Sequence, residues 1–125
     1  MIRLLLVDDE PSVRNGLRMW FALHADIAVV GEAYDGAEAV ELACRLRPDV
    51  VLMDMEMPIL DGLGSLASLR VVRPESPVVV LTLHDNSEAR ARAQDAGACA
   101  FVGKHEDANA LLAAIRAAAT SRGRG

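Results

Sequence analysis

Five polar residues in this chain stand where apolar runs stop, and their types are complementary. Asp8 and Asp9 follow IRLLLV, Asp54 follows VVLM, Thr82 ends VVVLT, and Lys104 comes two residues after CAFV. Three carboxylates brought within a few ångströms repel one another, and left alone one takes up a proton. A hard divalent cation relieves that repulsion through oxygen ligands, and Mg²⁺ typically accepts one or two carboxylates while keeping several waters. Lysine adds a compact positive charge suited to a phosphoryl group. Threonine adds a hydroxyl that can donate to a phosphoryl oxygen. A cation, a nucleophilic carboxylate and donors for the transferred oxygens are the parts needed to move a phosphoryl group onto an aspartate. Singly, each residue has a plainer role. An Asp at a strand end forms a turn, a Thr closes a strand, a loop Lys is solvated, and Asp8-Asp9-Glu10 can cap the helix after it.

What brings the five together is the order of elements. The chain is organised around PDVVLMDMEMPILDG, residues 48–62, where Val50 to Met53 form an unbroken apolar run between turn residues. Such a run suits a strand buried on both faces. Further strands are expected over 2–7, 27–33, 78–82 and 99–102. Pro11 and Ser12 open a helix whose apolar face carries Val13, Leu17, Trp20 and Phe21. Asp35-Gly36 turns into a second helix bearing Ala39, Val40, Ala43 and Leu46, stopped before Pro48. Gly62 leads into a third with Leu63, Leu66 and Leu69, ended by Pro74. Asn86 or Ser87 caps a polar fourth helix that stops at Gly97. The fifth, Glu106 to Thr120, is rich in alanine. Five strands alternating with five helices imply a parallel sheet covered on both faces. Its carboxyl ends share one edge, the edge where open α/β sheets bind ligands.

Composition narrows the class. At 125 residues the chain makes one domain with a real core, and with 52% hydrophobic but 3% aromatic residues that core must be aliphatic. A net charge of −5 argues against non-specific nucleic-acid binding by these residues. Cys44 and Cys99 are too few for a disulfide framework, and their Ala-rich surroundings read as small buried positions. No apolar run approaches the roughly 20 residues of a membrane span. Arg3 comes too early, and Asp8, Asp9 and Glu10 too soon, for a signal peptide, so a cytoplasmic location is expected.

The segments LLVDDEPSVRNGL, VVGEAYDGAEAVELACRLRPDVVLMDMEMPILDGL, VVVLTLHDN and AGACAFVGK resemble a receiver domain of two-component response regulators. The resemblance spans residues 2 to about 119, and its wording is nearest the NarL/LuxR-type transcription regulators. It implies a flavodoxin-like (βα)5 three-layer sandwich with a five-stranded sheet of order 2-1-3-4-5. It also implies Asp54 as phosphoacceptor, Asp9 and Asp54 as direct Mg²⁺ ligands, Asp8 as a ligand through water, and the Glu56 carbonyl as the remaining protein ligand. By the same resemblance the Met55 amide, Thr82 and Lys104 hold the phosphoryl oxygens, and Thr82 with Phe101 forms the conformational switch. A sensor histidine kinase is the implied phosphodonor. DNA contact is expected only through a helix-turn-helix output domain, absent from residues 1–120 and from the linker-like tail 121–125.

Two departures stand out. Chemotaxis-type receivers commonly carry a proline after the lysine, where this chain has His105; NarL/LuxR-type members often lack it. Glu56 and His84 lie two residues after Asp54 and Thr82, positions that in such receivers tune how long the phosphoryl group lasts. An enzyme reading, a phosphohydrolase of the haloacid-dehalogenase type, would place a second aspartate where Glu56 stands and would need a cap insertion. A pseudo-receiver would lack part of the acidic set. On the last helix, Ala108, Leu111, Leu112, Ile115 and Ala119 should face the sheet, leaving Ala110, Ala113, Ala114 and Ala117 as a second, small-residue stripe. Receivers resembling this subfamily often dimerise through their first and last helices, and that stripe is the expected contact.

Overall fold

The structure is a computed structural model. It describes residues 1–54, 59–82, 86–104 and 106–122, without the side chains of 59–63, 121 and 122. Met55, Glu56, His84 and His105 therefore lie outside the described residues.

Ten elements alternate: β1 (Ile2–Val7), α1 (Pro11–Phe21), β2 (Ile27–Ala33), α2 (Gly36–Leu46), β3 (Val50–Asp54), α3 (Ile59–Val72), β4 (Val78–Thr82), α4 (Ser87–Ala96), β5 (Ala100–Gly103) and α5 (Ala108–Arg122). All strand pairs are parallel and the order is β2-β1-β3-β4-β5. The expected doubly covered α/β sheet is the observed one. Consecutive strand side chains point to opposite faces, so each strand feeds two cores. Leu4, Leu6, Leu52, Val79 and Leu81 pack with Phe21 of α1 and Leu111 and Ile115 of α5. Leu5, Val7, Val51, Met53 and Val80 pack with Ala39 and Ala43 of α2, Leu66 and Leu69 of α3 and Ala93 of α4.

Local chemistry sets the boundaries. Asp35 caps α2 by accepting from the Glu38 amide at 2.8 Å, and Asn86 caps α4 by accepting from the Ala89 amide at 2.8 Å. Gly97 closes α4 at φ 108°, a left-handed conformation glycine adopts at little cost. A Cβ on Gly36 would run into Ser65 of α3, so the close approach of α2 to α3 needs glycine there.

Four expectations shift. The third helix begins at Ile59 rather than after Gly62, and β5 covers Ala100–Gly103 rather than 99–102. The last helix starts at Ala108 because the residues before it are engaged elsewhere: Asp107 accepts from the Asn109 amide at 2.9 Å and Glu106 from the Gly103 amide at 2.6 Å. Cys44 and Cys99 are both exposed. Cys44 follows buried Ala43 on α2, and one helical step turns it away from the core.

The inward face of α5 is also rotated from the expected stripe. Leu111, Leu112, Ile115 and Ala118 are buried, while Ala110 and Ala114 are half-buried against the same core. Ala108 is exposed in the first turn. The outward small residues are thus Ala113 and Ala117. Ala118 shares a face with Leu111 and Ile115 at the i, i+4, i+7 rhythm, and a wheel centred on Leu112 misplaces it.

Candidate functional site

Register delivers the polar residues to one place. Val7 pairs with Met53 across β1 and β3, so Asp8 and Asp54 are the next residues on neighbouring strands. Asp54 lies opposite Leu81, and Thr82 opposite Gly103, which puts Lys104 one residue beyond. Each side chain sits where its strand runs out, so the sheet fixes their spacing. Asp8, Asp54 and Thr82 are all at least 97% buried, and the Lys104 amide donates to the Thr82 carbonyl at 2.7 Å.

Within this cluster the Lys104 ammonium lies 2.6 Å from Asp54 Oδ2. Asp8 Oδ1 accepts from the Glu10 amide at 2.8 Å. Asp8 Oδ2 and Asp54 Oδ1 are buried and accept no hydrogen bond from any described residue. Burial, with the Asp54 carboxyl beside it and a smaller push from Asp9, drives Asp8 up from the ordinary 3.8 to about 7, against the pull of the Glu10 amide. Two buried acids facing one ammonium are short of positive charge. Orphaned anionic oxygens of this kind fit a hard, oxygen-seeking divalent cation, and Mg²⁺ suits them best. Asp9 is exposed at the rim. Among the described residues no three acidic side chains form a ready-made cage. A site here would be completed by water and by the residues after Asp54, where the expected Met55 amide and Glu56 carbonyl lie outside the description.

The supporting residues were not legible as site residues. Arg14 donates to the Asp8 carbonyl at 2.5 Å and lies 3.5 Å from Glu32, which also pairs with Arg18 at 3.0 Å. It thereby ties the acidic turn to α1 and β2. The signal was an arginine beside the apolar face of α1, with a second one four residues on. Phe101, half-buried on the α4 side, carries the Arg90 guanidinium over its ring at 4.8 Å. Glu106 belongs to the same neighbourhood through its bond to Gly103.

Comparison with known proteins bears on this arrangement. The sequence profile of the response regulator receiver domain matches residues 4–116. The chain belongs to the response regulator receiver family. It is 40% identical to the nitrate/nitrite response regulator protein NarP of Escherichia coli (strain K12) over 117 residues, 94% of this chain and 54% of that one. It is 39% identical to the transcriptional regulatory protein LiaR of Bacillus subtilis (strain 168), over 94% of this chain and 56% of that one. The receiver thus spans about half the length of the curated relatives it matches. Among solved structures, the signal receiver domain of NarL from Mycobacterium tuberculosis superposes with a TM-score of 0.85 at 33% identity, covering 95% of this chain and 96% of that one. A LuxR-family response regulator from Aurantimonas sp. SI85-9A1 gives 0.90 at 34% identity, over 98% and 87%. The family and its NarL/NarP-type branch are those expected, and such relatives are response regulators rather than conventional enzymes. No helix among the described residues is long and apolar enough to cross a membrane.

Proposed function

We propose that residues 1–120 act as a phosphorylation-driven switch for a transcription regulator, with Asp54 the acceptor of a phosphoryl group from a sensor histidine kinase. The observation that carries this is the buried Asp8–Asp54–Lys104 cluster at the carboxyl edge of the sheet, with two carboxylate oxygens left without donors. Asp54 Oδ attacks phosphorus while the bond to the donor's nitrogen breaks. Lys104, already 2.6 Å from Asp54, follows the charge onto the incoming oxygens. Thr82 donates its hydroxyl to one of those oxygens and the Met55 amide to another. Asp8, Asp9, Asp54 and the Glu56 carbonyl would hold Mg²⁺, which when bound supplies the positive charge that this cluster lacks.

Thr82 moving toward the phosphoryl group vacates space for Phe101, whose ring now lies under Arg90; a two-state element of this kind is what switching requires. Output follows as self-association through α1 and α5, and DNA is engaged through a separate output domain after the linker-like tail 121–125. The setting for this chemistry is the cytoplasm. In the test, a small phosphodonor and Mg²⁺ are added to the chain and its intact mass is read. One phosphoryl adduct is expected, lost on chelation and in Asp54→Asn. Equal labelling of that variant would overturn the assignment.

A further inference from the structure

Between α1 and α5 the fold leaves a cavity of ≈ 470 Å³, within the size range of small-molecule sites. Val13, Leu17 and Trp20 line it from α1, Leu81 and Val102 from the sheet, and Leu111 from α5. Gly16 keeps it open: a Cβ built there meets nothing within 4 Å. Glycine inside a helix is unfavourable relative to alanine, so α1 gives up helical stability where it borders the void.

The polar lining is lopsided. Asp54, Lys104, Glu106 and Asp107 reach the cavity. The ammonium of Lys104 is 2.6 Å from Asp54, and no other Lys or Arg among the described residues lines the space. Glu106 and Asp107 accept only from neutral backbone amides, of Gly103 and Asn109, so their charges stay uncompensated at the exposed end. Asp54 Oδ1, on a side chain 1% exposed, accepts no hydrogen bond from a described residue. The space therefore offers an apolar body with excess negative charge along one side.

We propose that this cavity binds a small amphipathic amine, with a flat apolar body against Val13, Leu17 and Trp20 and an ammonium turned to the carboxylates. This is a ligand site distinct from phosphoryl acceptance, and it stands whether or not Asp54 is phosphorylated.

Trp20 is the only tryptophan in the chain and lines the cavity, so its emission reports occupancy directly. The probes are phenethylamine and 3-phenylpropionate, which share a body and differ in charge, added separately to the full chain. Amide NMR shifts are read in parallel. Phenethylamine should saturate with a Kd of about 1 mM, as befits a ligand of roughly nine heavy atoms. The carboxylate should bind at least about fivefold more weakly. Gly16→Leu fills the void without a clash and adds a better helix former; it should weaken the amine about tenfold or more. Asp107→Asn keeps the capping oxygen, removes one charge, and should narrow the difference between the probes. Equal affinity for both probes, an unaltered Gly16→Leu variant, or no saturable response well beyond millimolar concentration each overturns the proposal.

Discussion

Replacing Asp8 by asparagine should stabilise the metal-free protein at alkaline pH, and the size of the gain follows from the site. Asp8 is 3% exposed, and burial together with the neighbouring Asp54 carboxyl raises it from 3.8 to about 7. A carboxyl held more tightly protonated in the folded chain than in the unfolded one costs nothing below about pH 4. Its penalty grows as pH rises through the window between 3.8 and about 7 and is complete above it. The shift spans roughly three pH units at about 1.4 kcal/mol each, so the ionised pair costs up to about 4 kcal/mol. Asparagine keeps the oxygen that accepts from the Glu10 amide and removes the charge. Urea unfolding followed by Trp20 emission, in EDTA, should give Asp8→Asn about 2–4 kcal/mol more stability than wild type at pH 8 and near equality at pH 4.5. Saturating Mg²⁺ should reverse the order at pH 8, because only wild type gains full binding energy from the cation. If the variant is less stable at pH 8 in EDTA, or shows the same pH slope as wild type, the mutual repulsion of Asp8 and Asp54 is not what the geometry implies.

Three further outcomes follow from the same contacts. Lys104→Ala should fold but lose about 3 kcal/mol at pH 8, since Asp54 is left buried without its ammonium; it should also show smaller NMR shifts on phosphorylation, and wild-type shifts would refute the coupling. Arg14→Met removes the donor to the Asp8 carbonyl and the pairing with Glu32, so a loss of about 1–2 kcal/mol is expected together with weaker Mg²⁺ binding by titration calorimetry; unchanged binding would show that the acidic turn holds itself. Ala117→Arg places a large charge on the exposed face of α5 and should abolish phosphorylation-dependent self-association in sedimentation without touching the core. Dimerisation equal to wild type would locate the contact elsewhere.

Much of this was legible because α/β alternation leaves few choices. Val50 to Met53 and Val78 to Thr82 read as buried strands on composition alone, and both are. Once the strands are parallel, Asp8, Asp54, Thr82 and Lys104 must share an edge, so burial of the first three and the Lys104–Asp54 contact followed from order in the chain. The site's support was less legible. Arg14 pairs with Glu32 across α1 and β2, a contact set by how the helix is turned on the sheet. Arg90 over Phe101 depends in the same way on where α4 sits. The alanines of α5 show the limit most clearly. With so little size difference between its faces, the wheel could not tell Ala118, which is buried, from Ala117, which is not. Nor could the cysteines' apolar neighbours reveal that one residue's turn takes Cys44 to the surface.

The central claim is that Asp54 alone among the clustered acids accepts a phosphoryl group. Its most direct test is to phosphorylate the chain with a small phosphodonor and Mg²⁺, trap the acyl phosphate with borohydride, and map the modified residue by tandem mass spectrometry. The reduced product should fall on Asp54 and nowhere else, and should be missing when EDTA is added first. Modification of Asp8 or Asp9 instead, or trapping at Asp54 that proceeds equally well in EDTA, would contradict the account.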